Sequence, residues 1–307
     1  MQEYDLTVII VNWNSGKYLQ NCVKSIENSK LYNYSYEIII IDNCSSDNSL
    51  SLIEKKKNVI LIKNSKNVGF GKACNQGVSV SNSDIILFLN PDVLFADNIL
   101  FNSVNFYKKS DYAVLGIKQI DENGIVNRTC ARNPNIKNIL NQSLGLSNIN
   151  SKIFLSYKMS DWNHLKTKEV DHVIGSFYLI SKEIFKCVGG FDEDFFLYYE
   201  DYDLSLKIRK LNKKIIFWAD EFIVHKGGAS SEQILAKRLF FSQKSKLIFF
   251  KKHFSLFDYA IIFFIIVFLE FFVRLIKAVF TLRFKEIIEL FVAYFLLLKS
   301  FFERHEN

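Results

Sequence analysis

Tyr36-Glu37-Ile38-Ile39-Ile40-Ile41-Asp42-Asn43 and Ile85-Ile86-Leu87-Phe88-Leu89-Asn90-Pro91-Asp92 follow one pattern. In each, a run of strand-forming residues stops at a polar segment that carries a carboxylate. Runs this apolar do not alternate, so they read as strands covered on both faces, as in a parallel sheet. An open α/β sheet places its ligands just beyond the carboxyl ends of its strands. Asp42 and Asp92 are therefore expected along one crevice.

Working outward, strand and helix signals alternate through the first 110 residues. Leu6–Val11 reads as a strand and Tyr18–Glu27 as a helix, with Leu19, Cys22, Val23 and Ile26 on one face. Helix Asp47–Lys56, strand Val59–Ile62 and helix Phe70–Ser79 continue the series, and Ala113–Ile120 reads as one more regular stretch. The alternation predicts an α/β fold, a mostly parallel central sheet flanked by helices. Residues 121–168, rich in Asn, Ser and Lys, read as a long connection. Strand Val170–Ile180, helix Ser181–Cys187, a helix capped by Asp203, strand Ile215–Trp218 and a strand leading to His225 complete the domain.

The last quarter of the chain differs. Of 30 Phe residues, 17 follow Ser230, and so do 12 Lys and Arg against 7 Asp and Glu, which accounts for +5 of the net +7. Positive charge that travels with Phe and Ile suits an anionic membrane surface better than a nucleic acid. We therefore divide the chain into a catalytic domain (1–230) and a helical, apolar, basic, membrane-associating extension (231–307). Tyr259–Leu269 is uncharged for only 11 residues. That is short for a span, so the expectation is an interfacial hairpin, peripheral or monotopic; a span over Tyr259–Phe280 stays open if Glu270 and Arg274, at i and i+4, neutralise each other. Five scattered cysteines without a Cys-x-x-Cys suggest neither disulfides nor a zinc site. The acidic start, running straight into a strand, suggests residence on the cytoplasmic side.

Each polar signal has a plain structural reading beside a functional one. Asp42 either starts a turn or accepts a hydrogen bond from the imide N–H of a pyrimidine base. Gly69-Phe70-Gly71 imitates a dinucleotide fingerprint, but Cys74 replaces the last glycine and the segment follows the third strand, so a Rossmann dehydrogenase is excluded. Asp92, after a proline-fixed turn, either approaches the next helix or acts as a carboxylate holding Mg²⁺ together with substrate phosphates. His225 ends a strand before Gly227-Gly228, with Ser230 nearby, and would add a nitrogen ligand that favours Mn²⁺. The stretch Gly189–Asp203 lacks the alternating oxygen ligands of an EF-hand. Its rings surround Asp201, as a partly desolvated general base requires, and suit the apolar faces of a sugar.

Val11-Asn12-Trp13-Asn14, Asp42-Asn43-x-Ser45, Asn67-x-Gly69-Phe70, Asn75-x-Gly77, Asn90-Pro91-Asp92, Gly175, Gly189-Gly190-Phe191-Asp192, Glu200-Asp201 and His225-x-Gly227-Gly228 occur in this order. Over roughly residues 5–230 the set resembles the family 2 glycosyltransferases of the GT-A fold, close to their bacterial rhamnosyltransferase-like group. The resemblance implies a nucleotide-sugar donor bound by Asn12, Asp42, Asn67, Gly69 and Asn90, with Asp42 on the pyrimidine base and Asn90 near the ribose. It implies a divalent metal (Mn²⁺ or Mg²⁺) on Asp92 and His225, and Asp201 as base with Glu200 beside it. Gly175 would line the acceptor side. Asn90 stands where the family's Asp-x-Asp has its first Asp. The acceptor implied is a glycan or polyprenyl-linked saccharide at the membrane surface. Two other readings remain open. A sugar-nucleotide pyrophosphorylase would need more than the thin Asn12–Lys17 loop offers, and a non-catalytic glycan binder would not need Asp92, Asp201 and His225 together.

Overall fold

The computed structural model describes residues 3–227 and 235–302, which gather into two compact units. Of these residues, the first unit holds 3–132, 163–196 and 200–227, and the second holds 133–162, 197–199 and 235–302. The expected division at residue 230, with Gly228 and Ser230, lies outside the described residues.

Along the chain run β1 (Leu6–Asn12), α1 (Lys17–Asn28), β2 (Tyr36–Asp42), β3 (Val59–Lys63), α2 (Phe70–Val80), β4 (Ile85–Leu89), β5 (Val93–Leu94), α3 (Ile99–Lys108), β6 (Val114–Ile120), β7 (Val126–Asn127) and β8 (Cys130–Ala131). The second unit then contributes α4 (Ile136–Ser143) and α5 (Leu146–Ile149). β9 (Lys168–Val170), β10 (His172–Val173), β11 (Phe177–Ser181), α6 (Lys182–Cys187), α7 (Glu200–Lys210) and β12 (Ile215–His225) return to the first.

The main sheet of the first unit has the order β3-β2-β1-β4-β11-β6-β12-β5. Its first four strands are mutually parallel, β11 runs antiparallel between β4 and β6, and β12 is parallel to β6. Ile38–Ile41 are wholly buried, as a run without polar alternation requires. Full burial of such side chains is worth about 1.5–3 kcal/mol each, so this strand anchors the core. α2 lies close to the sheet because its inner face is small: a Cβ on Gly77 would fall 2.8 Å from Ile9 and 2.9 Å from Ile41. Two registers position the site. Asn12 pairs with Asp42 across β1 and β2, and His225 pairs with Val93 across β12 and β5, one residue from Asp92.

Four expectations are corrected. Instead of a helix over Asp47–Lys56 there is one 3₁₀ turn, Ser49–Leu52. Asp47 does not cap a helix; it accepts from Gly16 N (2.7 Å), Ser49 N (3.1 Å) and Ser49 Oγ (2.6 Å), local bonds that compete with helix formation. α7 starts at Glu200 rather than after Asp203, because Tyr198 and Tyr199 (φ 68° and 67°) break the chain just before it. Asp203 lies in its first turn, paired with Lys207 at 2.6 Å. The strand expected over Val170–Ile180 is three short strands. The connection 121–168 contains α4, whose start is a reciprocal capping box between Asn135 and Asn138.

The second unit continues with α8 (Leu235–His253), α9 (Leu256–Phe264), a π-helical turn (Ile265–Leu269), α10 (Glu270–Phe280) and α11 (Phe284–Phe302). Among the described residues, Leu256–Phe280 is the one helical run long and apolar enough to cross a membrane. Glu270, in its middle, is buried. It accepts from Gln243 Nε2 (2.8 Å), Lys246 Nζ (3.1 Å) and Arg274 Nη2 (2.7 Å). Burial alone would raise its pKa, but the charges of Lys246 and Arg274 prevail and bring it down to about 2.

Candidate active site

Asn12 and Asp42, joined by the strand register, close the first part of the site. Asn12 Nδ2 donates to Asp42 Oδ1 (2.7 Å), Ser45 Oγ (3.0 Å) and Ser49 Oγ (2.9 Å). Ser45 adds its N–H on Asp42 Oδ2 (3.1 Å) and its hydroxyl on Oδ1 (2.5 Å). Three of the roughly four acceptor positions of this carboxylate therefore hold the turn. Asn12 Oδ1 is buried with no partner among the described residues.

The third strand's loop joins through Asn43, whose Nδ2 donates to Gly69 O (3.0 Å), while Asn67 Oδ1 accepts from Gly69 N (3.0 Å). Gly69 has φ 90°, and a Cβ there would collide with the carbonyl of Phe196, which accepts from Phe70 N at 3.0 Å. This is the close backbone approach that the glycine allows.

Asp92 and His225 form the second part. Both are buried, and Asp92 Oδ1 lies 3.2 Å from His225 Nε2. Asn90 Nδ2 is 3.4 Å from the same nitrogen. His225 Nδ1 lies 2.7 Å from Gln119 Oε1, an acceptor, so Nδ1 carries the proton. With the proton on Nδ1, Nε2 faces a carboxylate oxygen, and the two together offer a nitrogen and an oxygen ligand to a cation. Burial pushes the Asp92 carboxyl up, but the hydrogen bond and charge interaction with His225 outweigh it and hold the carboxyl below its usual range. Among the described residues no group of three His, Cys, Asp or Glu could hold a metal. Two protein ligands plus oxygens of a bound diphosphate fit the way Mg²⁺ and Mn²⁺ are held at phosphate sites. The Nδ1–Gln119 bond is the outer-shell orientation such a histidine needs.

Asp201 forms the third part. Its Oδ2 accepts from Gly175 N (2.8 Å) and its Oδ1 from Tyr202 N (2.8 Å), and its side chain retains 15% exposure. His172 stacks on Tyr202 (centroids 4.2 Å apart), and its Nε2 lies 4.0 Å from Asp201 Oδ2. Burial lowers the His172 pKa against the opposing charge of Asp201, which favours a neutral ring. Glu200 points elsewhere. It is 4% exposed, faces the Gly71 side of α2, and its Oε2 has no partner among the described residues. Burial, and then the charge of Asp201, raise its pKa well above the carboxylate range.

One short segment joins the second and third parts. Gly175 N donates to Asp201, and Ser176 O accepts from Asn90 N (3.1 Å). Ser176 Oγ and Gln119 are hydrogen-bonded to each other (2.9 and 3.0 Å), and Gln119 holds His225. Gln119, Ser176 and His172 were not among the residues expected from sequence, and Asn43 stood in a quoted motif without an assigned role. A buried glutamine in the apolar strand β6 was the available signal for Gln119.

The model of glycosyl transferase family 2 matches residues 7–189, more than half of the chain. The chain belongs to this family. It is 27% identical over 216 residues to the low-salt glycan biosynthesis hexosyltransferase Agl10 of Haloferax volcanii, covering 69% of this chain and 64% of that protein. It is 24% identical over 262 residues to an N-acetylglucosaminyl-diphospho-decaprenol L-rhamnosyltransferase of Mycobacterium tuberculosis, covering 80% of this chain and 83% of that one. The chain thus spans just under two thirds of Agl10, and between a fifth and a third of the poly(ribitol-phosphate) transferases it also matches. The mannosyltransferase PcManGT of Pyrobaculum calidifontis, solved with GDP-Man and Mn²⁺, superposes with a TM-score of 0.58 at 13% identity, over 97% of this chain and 88% of that one. The fold of this family 2 chain is GT-A, with the mostly parallel sheet and flanking helices expected from its sequence.

Proposed function

We propose that this chain is an inverting glycosyltransferase. The donor is a nucleoside diphosphate sugar (thymidine diphosphate rhamnose or a uridine diphosphate hexose). The acceptor is a hydroxyl of a polyprenyl-linked, cell-surface glycan at the cytoplasmic face of the membrane. The observation that carries the reading is the Gly175-Ser176 segment, which hydrogen-bonds to Asp201 on one side and to Asn90 and the His225 support on the other. Base and diphosphate ends of one reaction need such a fixed separation. The names of the mycobacterial relative and of PcManGT's ligands support the acceptor and donor classes.

Asp201 accepts the proton of the acceptor hydroxyl. The acceptor oxygen bonds to the anomeric carbon as the bond to the diphosphate oxygen breaks on the opposite face. Glycoside and nucleoside diphosphate leave, and the proton remains on Asp201. Gly175 N and Tyr202 N fix the carboxylate while leaving lone pairs for the incoming hydroxyl. Asp92 and His225 would hold a divalent metal, which would supply Lewis-acid neutralisation of the departing diphosphate. Asp42, through its remaining acceptor position, reads the base, while Asn12, Asn67 and Gly69 shape the donor pocket and Asn90 faces the ribose.

Incubation of the full chain with a panel of sugar nucleotides, membrane extract and Mn²⁺ or Mg²⁺ should release nucleoside diphosphate and give a product of inverted anomeric configuration. Asp201→Asn should lower turnover by about 10²–10⁴ with donor binding intact. Near-normal turnover of that variant would refute the base assignment. Pyrophosphate as product would identify a pyrophosphorylase, and no product at all a glycan binder.

A further inference from the structure

The helices of the second unit are apolar on both sides. Inward, Ile262, Ile265 and Ile266 on one run, and Leu290, Ala293 and Leu297 on α11, are buried. Outward, Phe264, Phe268, Phe272, Ile276 and Phe280 recur every fourth residue, each 48–84% exposed. α11 repeats this with Phe284, Ile288, Phe291, Phe295 and Phe302, 53–76% exposed. A helix facing water carries charge on that side, and soluble monomers rarely expose so continuous an apolar patch. Four-residue steps drift by about 40° each on an α-helix. The π-helical turn at Ile265–Leu269 takes up an extra residue and slows that drift, and Tyr294 Oη pins it by donating to Ile266 O at 2.9 Å.

Leu256–Phe280 is long enough to span a bilayer, and Glu270 argues against it. This buried carboxylate is held by Gln243 and Lys246 of α8. α8 also carries Lys237, Arg238, Lys244, Lys251 and Lys252, so it cannot follow into hydrocarbon. A spanning helix would keep Arg274 on Glu270 but part it from Gln243 and Lys246. Cations stand at both ends of the patch: Lys277, Arg283 and Lys285 at the α10–α11 turn, and Lys251, Lys252 and Lys299 at the other end. Asp258 and Glu286 are engaged by Ser255 and Arg283.

We infer that the second unit is an in-plane anchor for an anionic bilayer. α9–α10 and α11 lie flat in the headgroup layer, with the outward Phe stripes among the acyl chains and the flanking lysines and arginines on lipid phosphates. The inference rests on the membrane-facing part of the function proposed above and gives its geometry.

The full chain should sediment with preformed phosphatidylcholine vesicles containing phosphatidylglycerol, and at least about tenfold less with phosphatidylcholine alone. The double variant Phe268→Glu, Phe272→Glu should cut that partition by at least about tenfold at unchanged melting temperature, since both rings are exposed. A Thr281→Cys variant, in a chain with Cys44→Ser and Cys187→Ser, reports the α10–α11 turn. On sealed vesicles it should react with a membrane-impermeant maleimide without detergent. Protection of this residue until detergent is added would show a span and overturn the inference. Undiminished partition of the double variant would overturn it too, as would a dimer that buries these rings and ignores vesicles. Nucleoside diphosphate release, measured in detergent on the same preparations, separates the two readings. Release without vesicle binding removes the anchor alone, whereas vesicle binding without release removes the catalytic proposal and leaves the anchor standing.

Discussion

Replacing Gln119 by leucine tests the proposed metal half of the site without touching either proposed ligand. Gln119 is 1% exposed, its Oε1 lies 2.7 Å from His225 Nδ1, and its amide is bonded to Ser176 Oγ. Leucine keeps the volume and removes the acceptor that fixes the proton on Nδ1 and turns Nε2 toward Asp92. Loss of such an outer-shell partner costs about 10–100-fold in metal affinity, or about 1.4–2.8 kcal/mol. The variant also leaves the Nδ1 proton and the Ser176 hydroxyl unpaired, at about 1–3 kcal/mol each in stability, so it must be assayed well below its melting temperature. Mn²⁺ titrations by calorimetry and by turnover should both shift by that factor. Maximal turnover should largely return at saturating Mn²⁺, and Gln119→Glu, which retains an acceptor, should restore the affinity. An unchanged Mn²⁺ affinity with turnover reduced at every metal concentration would refute the reasoning.

Three further outcomes follow from the same geometry. Glu200 has a folded pKa raised by burial and by Asp201, so its neutral form adds stability that is complete below the unfolded value and is lost as pH rises through the folded one. Glu200→Gln should therefore melt no lower than the parent at neutral pH and keep most of its turnover, in contrast to Asp201→Asn; a collapse of activity equal to that of Asp201→Asn would place Glu200 in the chemistry. Gly69→Ala puts a side chain at φ 90° against the Phe196 carbonyl, so it should cost at least about 1–3 kcal/mol and lower the melting temperature by several degrees in differential scanning calorimetry. Glu270, with a folded pKa of about 2, contributes stability present above its unfolded value near 4.5 and lost as pH falls toward 2, on the order of 3 kcal/mol. Helical circular dichroism of the parent should fall over that window, and Glu270→Gln should flatten the pH dependence while lowering stability at neutral pH.

Strand positions were legible in the sequence because burial on both faces leaves a compositional mark, as at Ile38–Ile41 and Ile85–Leu89. The loop after Asp42 was not legible, since its Ser and Asp side chains look like helix caps yet bind one another and the backbone of Asn14 and Gly16. The two units were only half visible: Phe and Lys enrichment marked the C-terminal helices, but residues 133–162 carry no such mark and still fold with them. Gln119 illustrates a different limit. Its partners are 57 and 106 residues away in the chain, so a glutamine in an apolar strand marks the position but not what it binds.

Glu200 and Asp201 set the sharpest boundary between what a motif says and what a fold decides. As neighbours in the chain they are chemically alike, and nothing local ranks them as proton acceptors. On α7 successive side chains diverge by about 100°, so the two carboxyls cannot share an environment. One turns toward Gly71 of α2, where burial and the adjacent charge keep it neutral. The other reaches the Gly175 amide and keeps a path to solvent. Glu200 is thus enclosed against α2, while Asp201 stays open at the sheet's end. The helix phase therefore gives the two carboxyls different surroundings, and on the proposed function the one at the Gly175 amide is the base.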